Sequence, residues 1–231
     1  YLQALPIYEE LEKKNGVGTI TANLGVEYSA KGEYIKALDY FNQTLTIYEE
    51  LGDKSGIAKM TRNIGGVYEK MGDYEKTLTQ YSKALSIAED LKDTVSIAHS
   101  FDRIADVEFY KGDYDKAINY YNNALDLRKA IGNNLFIGYS NFNFGFMYCI
   151  MGEYEKAADY LEKFIRIIKE ERGDYYKKGL SETSALYLTY KGLGDEYNEQ
   201  EIHELFKDNE IEDIGSYTSF ILNELLEDQR F

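Results

Sequence analysis

The chain contains one cysteine, one proline, two histidines and no tryptophan among 231 residues. A single thiol excludes a disulfide framework and a cysteine-based zinc site, and Cys149 has no histidine or second cysteine near it in sequence. The lone proline, Pro6, leaves the remainder free of the strongest helix breaker, which favours long helices. Positive charge is also scarce: 26 Lys and Arg stand against 41 Asp and Glu, for a formal net charge of −15. Nucleic acid calls for a cationic face and anionic lipid repels an acidic one, so neither is expected as a partner. No apolar run reaches the length that spans a bilayer. The opening Tyr1-Leu2-Gln3-Ala4-Leu5-Pro6 lacks the basic region and cleavage site of a signal peptide, which reads as cytoplasmic. A start at Tyr1 reads as a processed or excised piece. What is abundant is aromatic: 23 Tyr and 11 Phe in a chain that is 44% hydrophobic. That composition supports a packed core and argues against disorder.

The organisation is periodic. Lys31-Gly32-Glu33-Tyr34, Met71-Gly72-Asp73-Tyr74, Lys111-Gly112-Asp113-Tyr114 and Met151-Gly152-Glu153-Tyr154 recur every 40 residues. Lys36, Lys76, Lys116 and Lys156 keep the same register, as do Leu45, Leu85, Leu125 and Ile165. A fixed period of this size marks a stack of repeated supersecondary units. Each unit reads as two helices. The first, about Val17 to Ala30, places Val17, Ile20, Leu24, Gly25 and Tyr28 at helical spacing. Gly32 supplies a left-handed stop, and Glu33, Asp73 and Asp113 stand where the next N-cap belongs. The second helix carries Ala37, Tyr40, Phe41, Thr44, Leu45 and Tyr48 on one stripe, and Gly52-Asp53 closes the unit. Small residues at Gly25, Gly65, Ala105 and Gly145, and at Ala37, Thr77, Ala117 and Ala157, are expected to let paired helices approach closely.

The series Asn23-Leu24-Gly25-x-x-Tyr28, Gly32-Glu33-Tyr34, Ala37-x-x-x-Phe41-x-x-Thr44-Leu45, with its copy Asn63-Ile64-Gly65-x-x-Tyr68, Gly72-Asp73-Tyr74, Tyr81-x-x-Ala84-Leu85, resembles the tetratricopeptide repeat. The 40-residue period is similar to the longer form in kinesin light chain, the Leu-Gly-Asn-repeat spindle adaptors and many bacterial signalling proteins. The resemblance implies an all-α fold, a tetratricopeptide-repeat solenoid or right-handed α-α superhelix, here of about eleven or twelve helices. The third copy departs, with Glu108 for the tyrosine and Ala105 for the glycine. Residues 16–55, 56–95, 96–135 and 136–175 are expected as four units. Residues 1–15 match the second helix of a unit whose first helix is absent, leaving Leu5, Tyr8 and Leu11 as an open edge suited to self-association. Residues 176–231 read as a degenerate fifth repeat (Ser181 to Lys191, with Ala185 at the glycine position) and capping helices, including an amphipathic Tyr217 to Leu226.

In such stacks the first helices line the concave side. Asn23, Asn63 and Asn143 share one register there, with Arg103 in the third copy. An amide offers donors and an acceptor, so spaced asparagines can pair with the backbone of an extended peptide, a use that the resemblance also implies. The competing reading is that each asparagine bonds to the next repeat and holds the stack. Lys59, Arg62, His99 and Arg103 gather a basic stretch in copies two and three, and Tyr139, Phe142 and Phe146 an aromatic one in copy four. Together they suit a peptide with an acidic group and an apolar anchor, unless Glu69, Asp102 and Asp106 neutralise the basic residues locally. The carboxylate clamp of chaperone-binding relatives is not reproduced, since copy one has Ala22 and Val26 in its place.

Catalysis finds no constellation. His99, Ser100 and Asp102 lie on one helix, where neighbours point about 100° apart, and a triad is a matter of geometry. His203 has no partner, and the glycines punctuate repeats without forming a phosphate loop. The expected function is a non-enzymatic scaffold that holds an extended peptide and needs no metal or cofactor. The alternative is a regulatory or sensor segment of a larger bacterial signalling protein, such as a nucleotidyl cyclase, kinase or transcription regulator.

Overall fold

The computed structural model describes residues 14–172 and Thr189. Within 14–172 lie eight α-helices: α1 Lys14–Ala30, α2 Tyr34–Leu51, α3 Lys54–Lys70, α4 Tyr74–Asp90, α5 Thr94–Tyr110, α6 Tyr114–Ile131, α7 Asn134–Ile150 and α8 Tyr154–Arg172. No strand occurs among the described residues. The all-α expectation is met. The chain divides into two compact units at Asp113 and Tyr114. In the first, α1 packs on α2, α2 on α3, α3 on α4 and α4 on α5; in the second, α6 packs on α7 and α7 on α8. The open edge at Leu5, Tyr8 and Leu11 lies outside the described residues, as do the fifth repeat and capping helices apart from Thr189. Lys14 and Asn15 belong to α1, which begins three residues before Val17.

The repeated Gly-acid-Tyr segment makes the turn within each pair. Gly32, Gly72, Gly112 and Gly152 sit at φ values of 76°, 75°, 82° and 75°. The amide of the following residue returns to the carbonyl of the tyrosine position, as in Glu33 N to Tyr28 O at 2.9 Å and Asp73 N to Tyr68 O at 2.9 Å, so carbonyls left open at the helix end are satisfied. The cap expectation holds for Asp73, whose carboxylate accepts from Lys76 N at 3.1 Å. It fails for Glu33, which occupies the cap position without a side-chain cap bond. Its extra methylene carries the carboxylate past the helix amides to the Lys36 ammonium. The in-register lysines thereby gain a second task. Lys36, Lys76 and Lys156 lie 5.2, 5.2 and 5.1 Å from the ring centres of Tyr28, Tyr68 and Tyr148, so each couples the turn to the preceding helix. In the third copy Glu108 is buried and pairs with Lys111 at 3.1 Å.

The small residues do bring helices together. Ala37, Thr77, Ala117 and Ala157 are fully buried. A Cβ at Gly25 would stand 2.6 Å from the Phe41 ring, and one at Gly65 would stand 2.6 Å from the Tyr81 ring.

Between pairs, Gly52 and Gly132 take φ values of 66° and 73°, but the same register in the second copy holds Lys92 at φ 55°. A side chain there costs about 1–2 kcal/mol against the left-handed backbone, more than the added chain entropy of a glycine, about 0.5–1 kcal/mol. Lys92→Gly is therefore expected to stabilise the chain by about 0.5–1 kcal/mol, with a rise in Tm of a few degrees in a thermal melt. A lower Tm would show that the lysine side chain contributes more than its backbone strain removes.

Candidate functional site

Helix α3 buries Met60, Thr61, Ile64 and Val67. Its less buried side carries Lys59, Arg62, Asn63 and Glu69. Arg62 and Glu69 are seven residues apart, 20° short of two full turns, so they share a face about 10 Å apart along the axis. Asn23 holds the same register on α1 as Asn63 on α3. On α5, His99 and Arg103 are exposed, while Asp106 and Tyr110 are half-buried.

A polar cluster joins α3, α4 and α5. Positions 65 and 66 are both glycine, and a Cβ at Gly66 would come within 3.6 Å of the Tyr81 hydroxyl. With nothing in the way, Tyr81 crosses from α4 beneath this glycine pair, and its hydroxyl donates to the Glu69 carboxylate. On α5, Arg103 pairs with Asp106 at 3.2 Å. Burial pushes the Glu69 carboxyl above its ordinary range, the Tyr81 hydrogen bond opposes that shift, and Asp106 adds to it. Burial and then Glu69 push the Tyr81 phenol well up. Asp106, followed by Glu69, holds Arg103 firmly charged. Local neutralisation, one of the two expectations for the basic stretch, therefore applies to Arg103.

It does not apply to Arg62. This half-buried guanidinium makes no hydrogen bond or ion pair among the described residues. Burial lowers its pKa first and repulsion from Arg103 second. Asp93, the acid that acts on it, already caps α5 by accepting from Ser96 N and Ser96 Oγ at 3.1 and 2.7 Å. The amides of Asn23 and Asn63 are likewise half-buried and make no hydrogen bond among the described residues. Lys59 is exposed on the same terms. The contrast is Asn141, which is buried and donates to Ile137 O at 2.8 Å.

The second unit presents a different surface. Asn143 is half-buried and makes no hydrogen bond among the described residues. Tyr139 and Phe142 are half-buried and lean on the Phe164 ring of α8, with centroids 6.2 and 5.5 Å apart. Phe142 and Phe146 stack at 6.0 Å and pack on Leu161. These rings thus serve the α7–α8 contact and keep part of their faces open. Cys149 is buried, and burial pushes its thiol up while Thr189 opposes the shift. The thiol stays protonated, which is not the state of a nucleophile. Ser100 is buried and donates to Ser96 O at 2.8 Å, so its hydroxyl is not offered to His99. No group of His, Cys, Asp and Glu suited to a metal occurs among the described residues, and no helix among them is long and apolar enough to cross a membrane.

Sequence reasoning named both arginines and the asparagines but missed the Glu69–Tyr81 bond. The Gly65-Gly66 pair was its signal, since no other copy has a second glycine after the packing position.

Matches to tetratricopeptide-repeat families cover residues 17–51, 56–130 and 93–170. No curated protein matches the chain in sequence. Among solved structures, BtubC (BKLC) from P. vanneervenii is similar at a TM-score of 0.69 and 17% identity, over 94% of this chain and 84% of that one. A signal transduction ATPase with numerous domains (STAND) from Pyrococcus horikoshii, which has a tetratricopeptide repeat sensor, gives 0.72 and 21% over 90% of this chain; the match spans 32% of that protein. A Rap protein complexed with Competence and Sporulation Factor gives 0.70 and 20%, over 96% of this chain and 62% of that one.

Proposed function

Because the chain belongs to the tetratricopeptide-repeat family, we propose that it is a non-enzymatic interaction scaffold that holds an extended peptide against the polar side of α1 and α3. The observation that carries this is the pair of half-buried Asn23 and Asn63 amides at one register with no partner among the described residues. A stack-holding role would need those amides bonded to neighbouring helices. Backbone N–H and C=O groups of an extended segment would supply the missing partners without regard to its sequence. In the second unit, Asn143 offers the same amide, and the open faces of Tyr139, Phe142 and Phe146 suit an apolar side chain of a partner. Residues 16–175 on this reading are four repeats of one binding architecture. The Rap complex is a related fold with a bound factor, which adds support of a general kind.

A second reading places the chain as the sensor or regulatory segment of a larger signalling protein. The match to about a third of a STAND protein with a tetratricopeptide repeat sensor favours it. The two readings share the same peptide-holding face.

The test uses peptides selected from a display library of random linear nonapeptides against the intact chain, then titrated calorimetrically. Each amide removed should cost about 1 kcal/mol, so Asn63→Ala and Asn23→Ala should each weaken binding several-fold with unchanged melting temperature. Binding unchanged in both variants would place the peptide elsewhere. A marked fall in melting temperature would make the asparagines stack-holding residues.

A further inference from the structure

Resting on the peptide reading above, we infer that Arg62 anchors the bound peptide by a single carboxylate, paired directly with its guanidinium.

A guanidinium presents five N–H donors in a rigid fork. Partly out of water, such a group costs free energy unless its donors are bonded. Arg62 is half-buried and makes no hydrogen bond or ion pair among the described residues. Three groups act on it through space: Arg103, Tyr81 and Asp93. None of them supplies the missing partner. Arg103 is a like charge, itself held by Asp106 at 3.2 Å. The Tyr81 hydroxyl donates to Glu69, and its phenol is pushed well up, so it presents no anion at neutral pH. The Asp93 carboxylate is bonded to Ser96 N and Ser96 Oγ at 3.1 and 2.7 Å. Glu69 lies seven residues on, about 10 Å along the axis, where Arg103 and Lys70 act on it. Lys59, three residues before Arg62 on the same helix, is another cation.

A carboxylate is the ligand group that fits. Its two oxygens match two parallel N–H donors of the fork, and its charge offsets the burial of the cation. A basic side chain would be repelled, and a neutral amide or hydroxyl offers one acceptor where the fork presents two donors. The place agrees with the peptide path. Asn63 is the next residue, its Cα about 3.8 Å from that of Arg62, and Asn23 holds the register of Asn63 on α1. A backbone held by those amides passes within reach of the guanidinium. The other copies carry Ala22, Asp102 and Phe142 at the register of Arg62. One carboxylate position is therefore specified along the peptide, and the asparagines hold the backbone on either side of it without regard to sequence. The two oxygens come from an Asp or Glu side chain or from the peptide C-terminus.

The test uses random linear nonapeptides displayed with free C-termini and selected against wild type. A selected nonapeptide is synthesised in three forms: unchanged, with its C-terminus amidated, and with its acidic side chains replaced by their amides. Each is titrated calorimetrically into wild type and Arg62→Gln. In wild type, one altered form should bind about tenfold or more weaker, as loss of a charge-assisted bond implies. Weakening by amidation identifies a terminal carboxylate, and weakening by side-chain replacement identifies an acidic residue. Arg62→Gln should bind all three forms alike, at about the strength of the weakened form. It should also melt no lower than wild type, because no bond within the protein is lost. An equal loss in wild type and Arg62→Gln, or no loss in either, would overturn this inference; if those peptides still depend on Asn63, the peptide reading stands. A marked fall in the melting temperature of Arg62→Gln would make Arg62 a packing residue and overturn it too. Failure to enrich any peptide over input would overturn both.

Discussion

Tyr81→Ala is expected to lower the unfolding free energy by about 3–5 kcal/mol, the range for removing a fully buried aromatic side chain. Tyr81 is 2% exposed, the largest of the side chains buried that deeply. Its ring lies on Gly65, where a Cβ would come within 2.6 Å, so that residue has no side chain to fall into the space left behind. The surrounding helices can collapse only in part, which keeps the cost at the upper end. Tyr81→Phe separates the ring from the hydroxyl. It keeps the packing and removes only the donor to Glu69, leaving a half-buried carboxylate without that bond at a cost of about 1–3 kcal/mol. Urea unfolding of both variants measures the difference. A loss for the alanine variant no larger than for the phenylalanine variant would mean that ring packing is not what holds α3 to α4.

Gly145→Ala should destabilise the second unit although it replaces glycine inside a helix. Helix propensity alone favours alanine by about 1 kcal/mol. Against this, the new Cβ would stand 2.5 Å from Leu161 Cγ, 2.8 Å from its Cδ2 and 3.2 Å from its backbone nitrogen. Leu161 is fully buried, and a backbone nitrogen cannot swing aside, so α7 and α8 must separate. Overpacking of this kind costs about 1–3 kcal/mol, enough to reverse the propensity gain. Gly138→Ala on the same helix is the control. Its Cβ would meet only side-chain atoms, the nearest the Ile167 Cγ2 methyl at 3.2 Å, a contact that a shift of a few tenths of an ångström relieves. That variant should be neutral or mildly stabilising. If thermal melts rank the two variants in the opposite order, close approach at position 145 is not a packing requirement.

The architecture was legible because it depends on a pattern repeated in every copy. Gly32 and its counterparts, the small residues beneath the aromatics and the helix lengths all recur at one period, so any single copy could be checked against the others. What was hidden lies where one copy departs. Lys92 takes a left-handed backbone because Gly52 and Gly132 define that turn, and a propensity argument has no reason to place a lysine there. Glu33 and Asp73 look interchangeable in sequence, and both reach the lysine three residues on, yet one methylene decides whether the carboxylate also caps the helix amide. The candidate site was half legible. Register brought out Asn23, Asn63 and Arg62, but whether a charge is paired depends on neighbours in space. Arg103 and Arg62 occupy adjacent registers of successive first helices, and only Arg103 has an acid one turn ahead, at Asp106. Tyr139, Phe142 and Phe146 share a groove register in sequence, but the Phe164 ring that holds the first two comes from α8.

The central claim is that the unpaired amides of Asn23 and Asn63 take the backbone of a bound peptide. The most direct measurement follows side-chain amide resonances of the isotope-labelled protein by NMR during titration with a selected nonapeptide. The Asn23 and Asn63 NH2 signals should shift together with peptide concentration, because new hydrogen bonds form there, while that of Asn141, already bonded to Ile137 O, should stay in place. Saturable binding that shifts other resonances and leaves Asn23 and Asn63 unmoved would contradict it.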